Sequence, residues 1–388
     1  MAENKTVTIA ALIDALSWET LAQSGLLAGQ RADCRRLRTI LGYSSAAVPS
    51  ILTGRLPQEH GRWSYLYYDP AGSPFRWTRF FRWGGPLIHN PLVDNPLLKR
   101  YVARLTARFN RFDGYFPVYD FPLRYLPLVN HCSKRWDFHP GAFECPSLVE
   151  ALTAGNVPAQ FLTYPMPEET IFERALVGLA SGEARFYFLY LSAIDLLGHA
   201  YGPAGAPLFE RLSWYDKWLR RLLDQATVAG YRPELFLFSD HGMVETQQTS
   251  GLKRLVEGLG LRYGRDYVAI YDSTMARFWY LEPGSRQPIE TLLRQEGHGR
   301  ILSPEEKRRY GVAFPGDRFG QTIYLLRSGI VFHPSHMSRR VLKAMHGFDP
   351  DDPINDGVFI STVELPRSPA AITDLYGLLL DRLGLANE

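Results

Sequence analysis

A chain of 388 residues, 46% hydrophobic and 21% charged, has room for one large α/β core or two to three smaller domains, and it is too apolar to be disordered. Its formal net charge of +3 is too small to imply a nucleic-acid polymer as partner. Cys34, Cys132 and Cys145 are few, odd in number and without metal-site spacing, so they read as free thiols in a reducing compartment.

The N-terminus has a lysine before an apolar stretch, the outline of a signal peptide. Asp14 interrupts that stretch, however, no small-residue cleavage site follows, and the β-branched residues favour a strand over Thr6–Ile13. The reading is therefore cytoplasmic, and no run reaches the roughly 18 apolar residues of a spanning helix. Trp18–Leu27 has apolar residues at helical spacing. Ser147–Ala154 reads as a helix closed by Gly155, and Ala159–Thr163 as a strand. Arg185–Ser192 is a strand, Pro207–Ala229 a long helix begun by proline and ended by Gly230, and Glu234–Ser239 a further strand. Thr322–Leu326, Gly357–Val363 and a helix over Pro369–Leu383 complete the order. Such alternation predicts an α/β fold, a mostly parallel central sheet with helices on both faces.

One stretch breaks the rhythm. Residues 75–131 are rich in aromatics, prolines and basic residues, among them Arg76, Arg79, Arg82, Lys99, Arg100, Arg104, Arg108, Arg111 and Arg124, against only Asp94, Asp113 and Asp120. This reads as a cap inserted into a core formed by 1–74 and 132–388. A solvated lid with a packed aromatic underside accounts for it; so does a surface that meets anionic lipid, which would make the protein peripheral to a membrane.

Three apolar runs deliver carboxylates. Val7–Ile13 ends in Asp14, Phe186–Leu191 leads to Asp195, and Leu235–Phe238 leads to Asp240. In an open parallel sheet, ligands bind beyond the carboxyl ends of the strands, so three aspartates would crowd into one crevice and call for bound cations. His199 follows Asp195 by four residues, His241 adjoins Asp240, and His346 lies far downstream. Carboxylate and imidazole without thiolate suit zinc, with manganese as the alternative. Ser44 opens a short helical run through Thr53; a helix N-terminus stabilises an alkoxide and an incoming phosphate, although Ser44 alone fits an ordinary N-cap.

Asp14, the segment from Ser44 to Leu52-Thr53-Gly54 with Pro57 and His60-Gly61, the Asp195…His199 element, Ser239-Asp240-His241-Gly242 and His346-Gly347 together resemble the alkaline phosphatase superfamily, in its type I phosphodiesterase/nucleotide pyrophosphatase branch. The resemblance runs from residue 6 to about 384, apart from 75–131. It implies that Asp195, His199 and His346 hold one metal, while Asp14, Asp240, His241 and the Ser44 oxygen hold the other. It also implies a small-molecule phosphoester substrate and a phosphoserine intermediate on Ser44. Two departures stand out. The branch usually has threonine where this chain has Ser44, and it has an asparagine about 21 residues later, where this chain reads Trp63-Ser64-Tyr65. The sulfatase branch is set aside because the arginine it requires four places after the nucleophile is Val48 here.

Paired ions about 3.5–4 Å apart would clamp the attacking and leaving oxygens in line. The charges of two divalent ions, three aspartates and an ionised Ser44 cancel, which favours a diester over a monoester unless Arg277 or a cap arginine folds in. Phosphomonoesterase, phosphonate hydrolase and phosphotransferase activities remain open, as does a non-catalytic phospho-ligand binder. Asp349, Asp351 and Asp352 fit either partners for His346 or a solvated loop.

Overall fold

Successive side chains of the first strand point to opposite faces of a sheet, and both faces are buried. Val7, Ile9, Ala11 and Ile13 join one apolar layer, while Ala10 and Leu12 join the other. The next strands repeat the pattern, with Phe186, Phe188, Phe236 and Phe238 on one side and Leu189, Leu191, Leu235 and Leu237 on the other. Burial on both faces explains why these runs are continuously apolar instead of alternating. Each fully buried aliphatic side chain contributes about 1.5–3 kcal/mol before chain entropy is charged against it.

The computed structural model describes residues 5–82 and 94–385. In chain order the elements that position the site begin with β1 (Lys5–Ile13), α1 (Trp18–Gln23), β2 (Asp33–Leu37), α2 (Ser44–Thr53), α3 (Pro96–Asn110) and α4 (Leu148–Ala154). There follow β3 (Ala159–Leu162), α5 (Glu168–Ser181), β4 (Phe186–Leu191), α6 (Ala193–Tyr201), α7 (Ala206–Val228) and β5 (Tyr231–Phe238). The chain then forms β6 (Tyr267–Tyr271), β7 (Met275–Tyr280), α8 (Arg286–Glu296), β8 (Gly299–Ile301), β9 (Thr322–Leu326), β10 (Gly357–Ser361) and α9 (Asp374–Leu383).

The central sheet has the order β2-β10-β5-β1-β4-β3. Strands β5, β1, β4 and β3 run parallel, and β10 runs against both β5 and β2. Helices α2, α4 and α9 cover one face, and α1, α5 and α7 the other. The expected mostly parallel α/β sheet is therefore present.

Three sequence expectations are corrected. Thr322–Leu326 is a strand, but it belongs to a separate antiparallel sheet of order β6-β7-β9-β8. The strand's own residues do not reveal this, because the strands of that sheet, like those of the central sheet, are covered on both sides and only the pairing tells the two sheets apart. Ala269, Tyr271, Ala276 and Phe278 pack with α8, while Val268, Ile270 and Trp279 meet the expected cap. Helix α1 stops at Gln23, and the chain turns away through Leu27, whose N–H donates to Asp216 Oδ1 at 2.7 Å. Helix α9 starts at Asp374 and not Pro369, because the Asp374 carboxylate accepts the N–H groups of Ala370 and Ala371 and closes the preceding loop.

Residues 83–93 of the expected cap lie outside the described residues. The rest packs Phe75, Val102, Ala103, Phe116, Phe121 and Leu126 into one cluster against β6 and β7. Lys99, read from sequence as part of a basic surface, is instead buried. Its ammonium lies 2.8 Å from Asp120 and 3.2 Å from Asp94. Among the described residues no helix is long and apolar enough to cross a membrane.

Candidate active site

Strand register brings the aspartates together. Ile13 pairs with Leu191 and Leu12 with Phe238, so β5, β1 and β4 end level and release Asp240, Asp14 and the turn into α6 at one edge. Ala15, immediately after Asp14, has φ 62°, a left-handed conformation that an alanine adopts only under constraint. In that conformation its N–H reaches Asp240 Oδ1 at 3.3 Å and locks the two strand ends together. Asp195 and His199 sit one turn apart on α6, which puts both on one face with Nε2 and Oδ1 3.2 Å apart. His346 approaches from the far end of the chain, its Nε2 3.3 Å from the same Asp195 oxygen.

Two groups of three ligand-type side chains result: Asp195, His199 and His346 in one, Asp14, Asp240 and His241 in the other. Within each group the ligand atoms lie within 4.8 Å of one another. The groups adjoin, since the His241 and His346 rings stack with centroids 3.8 Å apart. Ser44 stands at the second group, its Oγ 3.0 Å from His241 Nε2 and 3.4 Å from Asp14 Oδ1. It is the first residue of α2 and not the cap, a position held by Tyr43. All seven side chains singled out by sequence thus converge.

The donor set fits divalent cations on three independent grounds. Asp195 Oδ1, Asp240 Oδ2 and His346 Nδ1 are buried and have no hydrogen-bond partner among the described residues, which is costly for polar atoms in a folded interior. His199 Nδ1 faces the Ala344 carbonyl at 2.8 Å and His241 Nδ1 faces the Gly242 carbonyl at 3.0 Å, so both rings carry that proton and aim Nε2 inward as an acceptor. Electrostatics agree. Burial, with the charges of Asp240 and Asp195 added, raises the Asp14 carboxyl well above the carboxylate range, and burial raises Asp240 to about 7. Burial lowers His346 to about 3, helped by His241. For Asp195 burial opposes ionisation, but His199 and His346 overcome it and hold the carboxyl well below its usual range. Against the same penalty, Asp195 lifts His199 to about 8. Carboxylates this crowded need positive charge.

Several supporting residues were not evident from sequence. The Tyr190 hydroxyl donates to Asp14 Oδ2 at 2.6 Å. Tyr190 is the one residue near the end of the apolar run Phe186–Leu191 that carries a hydroxyl toward the site, and that is the signal that could have found it. Tyr43 presents its ring edge to His346 at 5.6 Å, and its hydroxyl accepts the Thr274 N–H at 3.0 Å. Gly347 (φ 84°) lets that ring approach, because a Cβ there would lie 2.7 Å from it. The trio Asp349, Asp351 and Asp352 does not serve His346. Asp349 accepts from Arg300 and Tyr310, Asp351 pairs with Arg309, and Asp352 caps Ile354.

A cavity of about 490 Å³ opens over the two groups. Tyr65, Tyr115, Tyr119, Trp136, Phe138 and Tyr164 form much of its wall, and no lysine or arginine lines it among the described residues. Arg277, the distant cation allowed for above, is fully buried and bound to Asp272 at 2.9 Å and to Ser64 at 2.8 Å. Of the Trp63-Ser64-Tyr65 stretch, Trp63 donates to the Leu41 carbonyl and Ser64 turns to Asp272, leaving Tyr65 to face the cavity.

Residues 42–286 match the sequence profile of the type I phosphodiesterase / nucleotide pyrophosphatase family. No curated protein sequence matches the chain. Among solved structures, human ectonucleotide pyrophosphatase / phosphodiesterase 5 superposes with a TM-score of 0.69 at 15% identity, covering 99% of this chain and 96% of that one. The murine protein of the same name, as an inactive variant in complex with AMP, gives 0.67 at 15% identity, covering 98% and 96%. At such identity the likeness is one of fold, the alkaline phosphatase-like arrangement.

Proposed function

The chain belongs to the type I phosphodiesterase / nucleotide pyrophosphatase family, and we propose that it hydrolyses phosphodiester or pyrophosphate bonds through a phosphoserine on Ser44. Asp195, His199 and His346 would hold one divalent cation, and Asp14, Asp240, His241 and Ser44 Oγ the other. Zinc suits these ligands best, with manganese as the alternative. When bound, such cations lower the pKa of a coordinated hydroxyl and neutralise charge on phosphoryl oxygens.

The steps assigned to the chain itself are these. Ser44 Oγ loses its proton and attacks phosphorus; the bond to the leaving oxygen breaks, and that oxygen departs with a proton as an alcohol or phosphate. The first turn of α2 directs its N–H groups and positive dipole end at the transferred group. Water then attacks the same phosphorus, restoring the Ser44 hydroxyl and releasing a phosphomonoester. The Tyr190 hydroxyl fixes the position of Asp14, and its hydrogen bond favours the ionised form against burial and the neighbouring carboxylates. Tyr65 lines the cavity in the stretch where the family has its asparagine and would donate to a phosphoryl oxygen in its place; burial keeps the hydroxyl protonated.

One observation carries the choice of a diester: among the described residues no lysine or arginine lines the cavity. A monoester brings about two negative charges near neutral pH and a diester one, so the monoanion suits a site whose charges otherwise cancel. The aromatic wall suits a planar or apolar ester substituent, and the AMP complex of the murine relative supports a nucleotide as substrate. Cys34, Cys132 and Cys145 are unpaired, in keeping with a cytoplasmic, reducing setting. The deciding measurement is kcat/KM on zinc-loaded protein for a diester and a monoester sharing one leaving group. The diester should lead by at least about tenfold, the effect of about 1.4 kcal/mol; a monoester advantage would make the enzyme a phosphatase.

A further inference from the structure

Helix α3 carries no acidic residue, and neither does any position from Asn95 to Phe112. Its inner face is packed, with Lys99, Val102, Ala103 and Thr106 buried. At helical spacing the opposite stripe reads Leu97, Arg100, Tyr101, Arg104, Arg108 and Arg111, all exposed. Leu97 is 75% exposed and Tyr101 60%, and Phe109 on the flank is 75% exposed. None of the four arginines lies within ion-pair distance of a carboxylate among the described residues, and residues 83–93 contain no aspartate or glutamate to supply one. Leu97, Tyr101 and Phe109 leave apolar area in water among these arginines, and the helix, whose inner face already packs, does not need them there.

We propose that this outer face of α3 is a docking surface for an anionic lipid bilayer. The chemistry is that of an interfacial amphipathic helix. Leu97 and Tyr101 would enter the headgroup region while Arg100, Arg104, Arg108 and Arg111 meet lipid phosphates. From Leu97 to Arg108 the stripe spans about 16 Å at about 1.5 Å per residue, with Arg111 at the helix C-cap beyond it, long enough to contact several headgroups at once. It is also rigidly mounted. Buried Lys99 binds Asp94 and Asp120, and Arg339 reaches Asp120 at 2.7 Å from the loop whose Ser338 and Leu342 line the catalytic cavity. This inference is independent of the catalytic reading, since none of the stripe residues lines the cavity.

The test uses the full chain and sedimentable vesicles, either phosphatidylcholine alone or phosphatidylcholine and phosphatidylglycerol in equal parts, at low and high salt. Wild type should sediment with the anionic vesicles at low salt, be released by high salt, and ignore the zwitterionic ones. The variant Arg100→Gln/Arg104→Gln/Arg108→Gln should bind about a hundredfold more weakly, at about fivefold per arginine. Its turnover of a water-soluble diester should equal wild type, which shows that it folds. Leu97→Ser with Tyr101→Ser should also weaken binding. Absent sedimentation of wild type at low salt, or equal sedimentation with both vesicles, would overturn the proposal. So would full binding by the serine variant, which would identify a soluble polyanion as the occupant.

Discussion

The imidazoles of His241 and His346 lie face to face, 3.8 Å between centroids and 10° from parallel, although 105 positions separate them in sequence. Each ring belongs to a different group of ligand-type residues, so the two groups share a wall and neither can shift alone. Protein reconstituted with zinc should hold two ions per chain by elemental analysis, and His346→Ala about one. A chelator should lower the melting temperature, because a ligand present at about a thousandfold its Kd stabilises the native state by about 4 kcal/mol. An unchanged melting temperature together with no bound metal would sink the two-cation reading.

Ser44→Ala should remove turnover, by at least about a thousandfold, while leaving the melting temperature within about a degree or two of wild type. The side chain is small and partly exposed, and its hydroxyl bonds to the site residues Asp14 and His241, so its loss opens no cavity in the core. Activity near that of wild type would mean that water attacks phosphorus directly.

How far the site could be read from sequence follows from which features are local. Asp14, Asp195 and Asp240 were visible because each breaks or follows an apolar run, and the placement of ligands beyond parallel strand ends is a property of the sheet. His346 could be assigned only through a family resemblance, since its neighbours in the fold are more than a hundred residues away. Tyr190, and Tyr43 with Thr274, were hidden because a tyrosine in an apolar run looks like core until its hydroxyl partner is known. The second sheet was hidden because the sheet a buried strand joins is fixed by long-range pairing and not by the strand's own residues, as Thr322–Leu326 shows.

Tyr190→Phe should cost about 10–100-fold in metal affinity or kcat. The hydroxyl is a donor to Asp14 at 2.6 Å, and removing it leaves Oδ2 of that buried carboxylate without its partner. Isothermal titration with zinc, read alongside kcat, separates the two outcomes. A variant equal to wild type in both would make the contact structural only.

Tyr65→Phe should lower kcat/KM for a diester by about tenfold or more, the worth of one hydrogen bond to a charged group. Ser64→Ala should act differently. Its hydroxyl accepts from Arg277 at 2.8 Å inside the core, so the loss should appear in the melting temperature and not in kcat/KM. If Tyr65→Phe left the kinetics untouched, another donor would orient the phosphate.

Acid should destabilise this fold through histidines that are not ligands. In His60, Nδ1 accepts the Arg62 N–H at 3.2 Å, and the ring meets Ser50 Oγ through Nε2 at 3.0 Å. In His131, Nδ1 accepts the Ser133 N–H at 3.1 Å, while Nε2–H donates to the Pro117 carbonyl at 3.0 Å. His336 accepts the Tyr271 N–H in the same way. A proton added at Nδ1 would face a backbone N–H, so these rings are neutral in the native state. Burial lowers His60 and His131 to about 3 and His336 well below its ordinary value. The unfolded chain takes up these protons near pH 6.5 and the folded chain does not, so stability falls as pH drops from about 6.5 toward 3. Each histidine adds a slope of up to about 1.4 kcal/mol per pH unit within that window. Urea unfolding of wild type and His60→Gln between neutral pH and pH 5 isolates one of them, since contributions from the aspartates and the other histidines are common to both proteins. The variant should start less stable and lose stability more slowly with acid. Parallel pH profiles would show that His60 is already protonated in the native state, and the assignment of a neutral ring would fail.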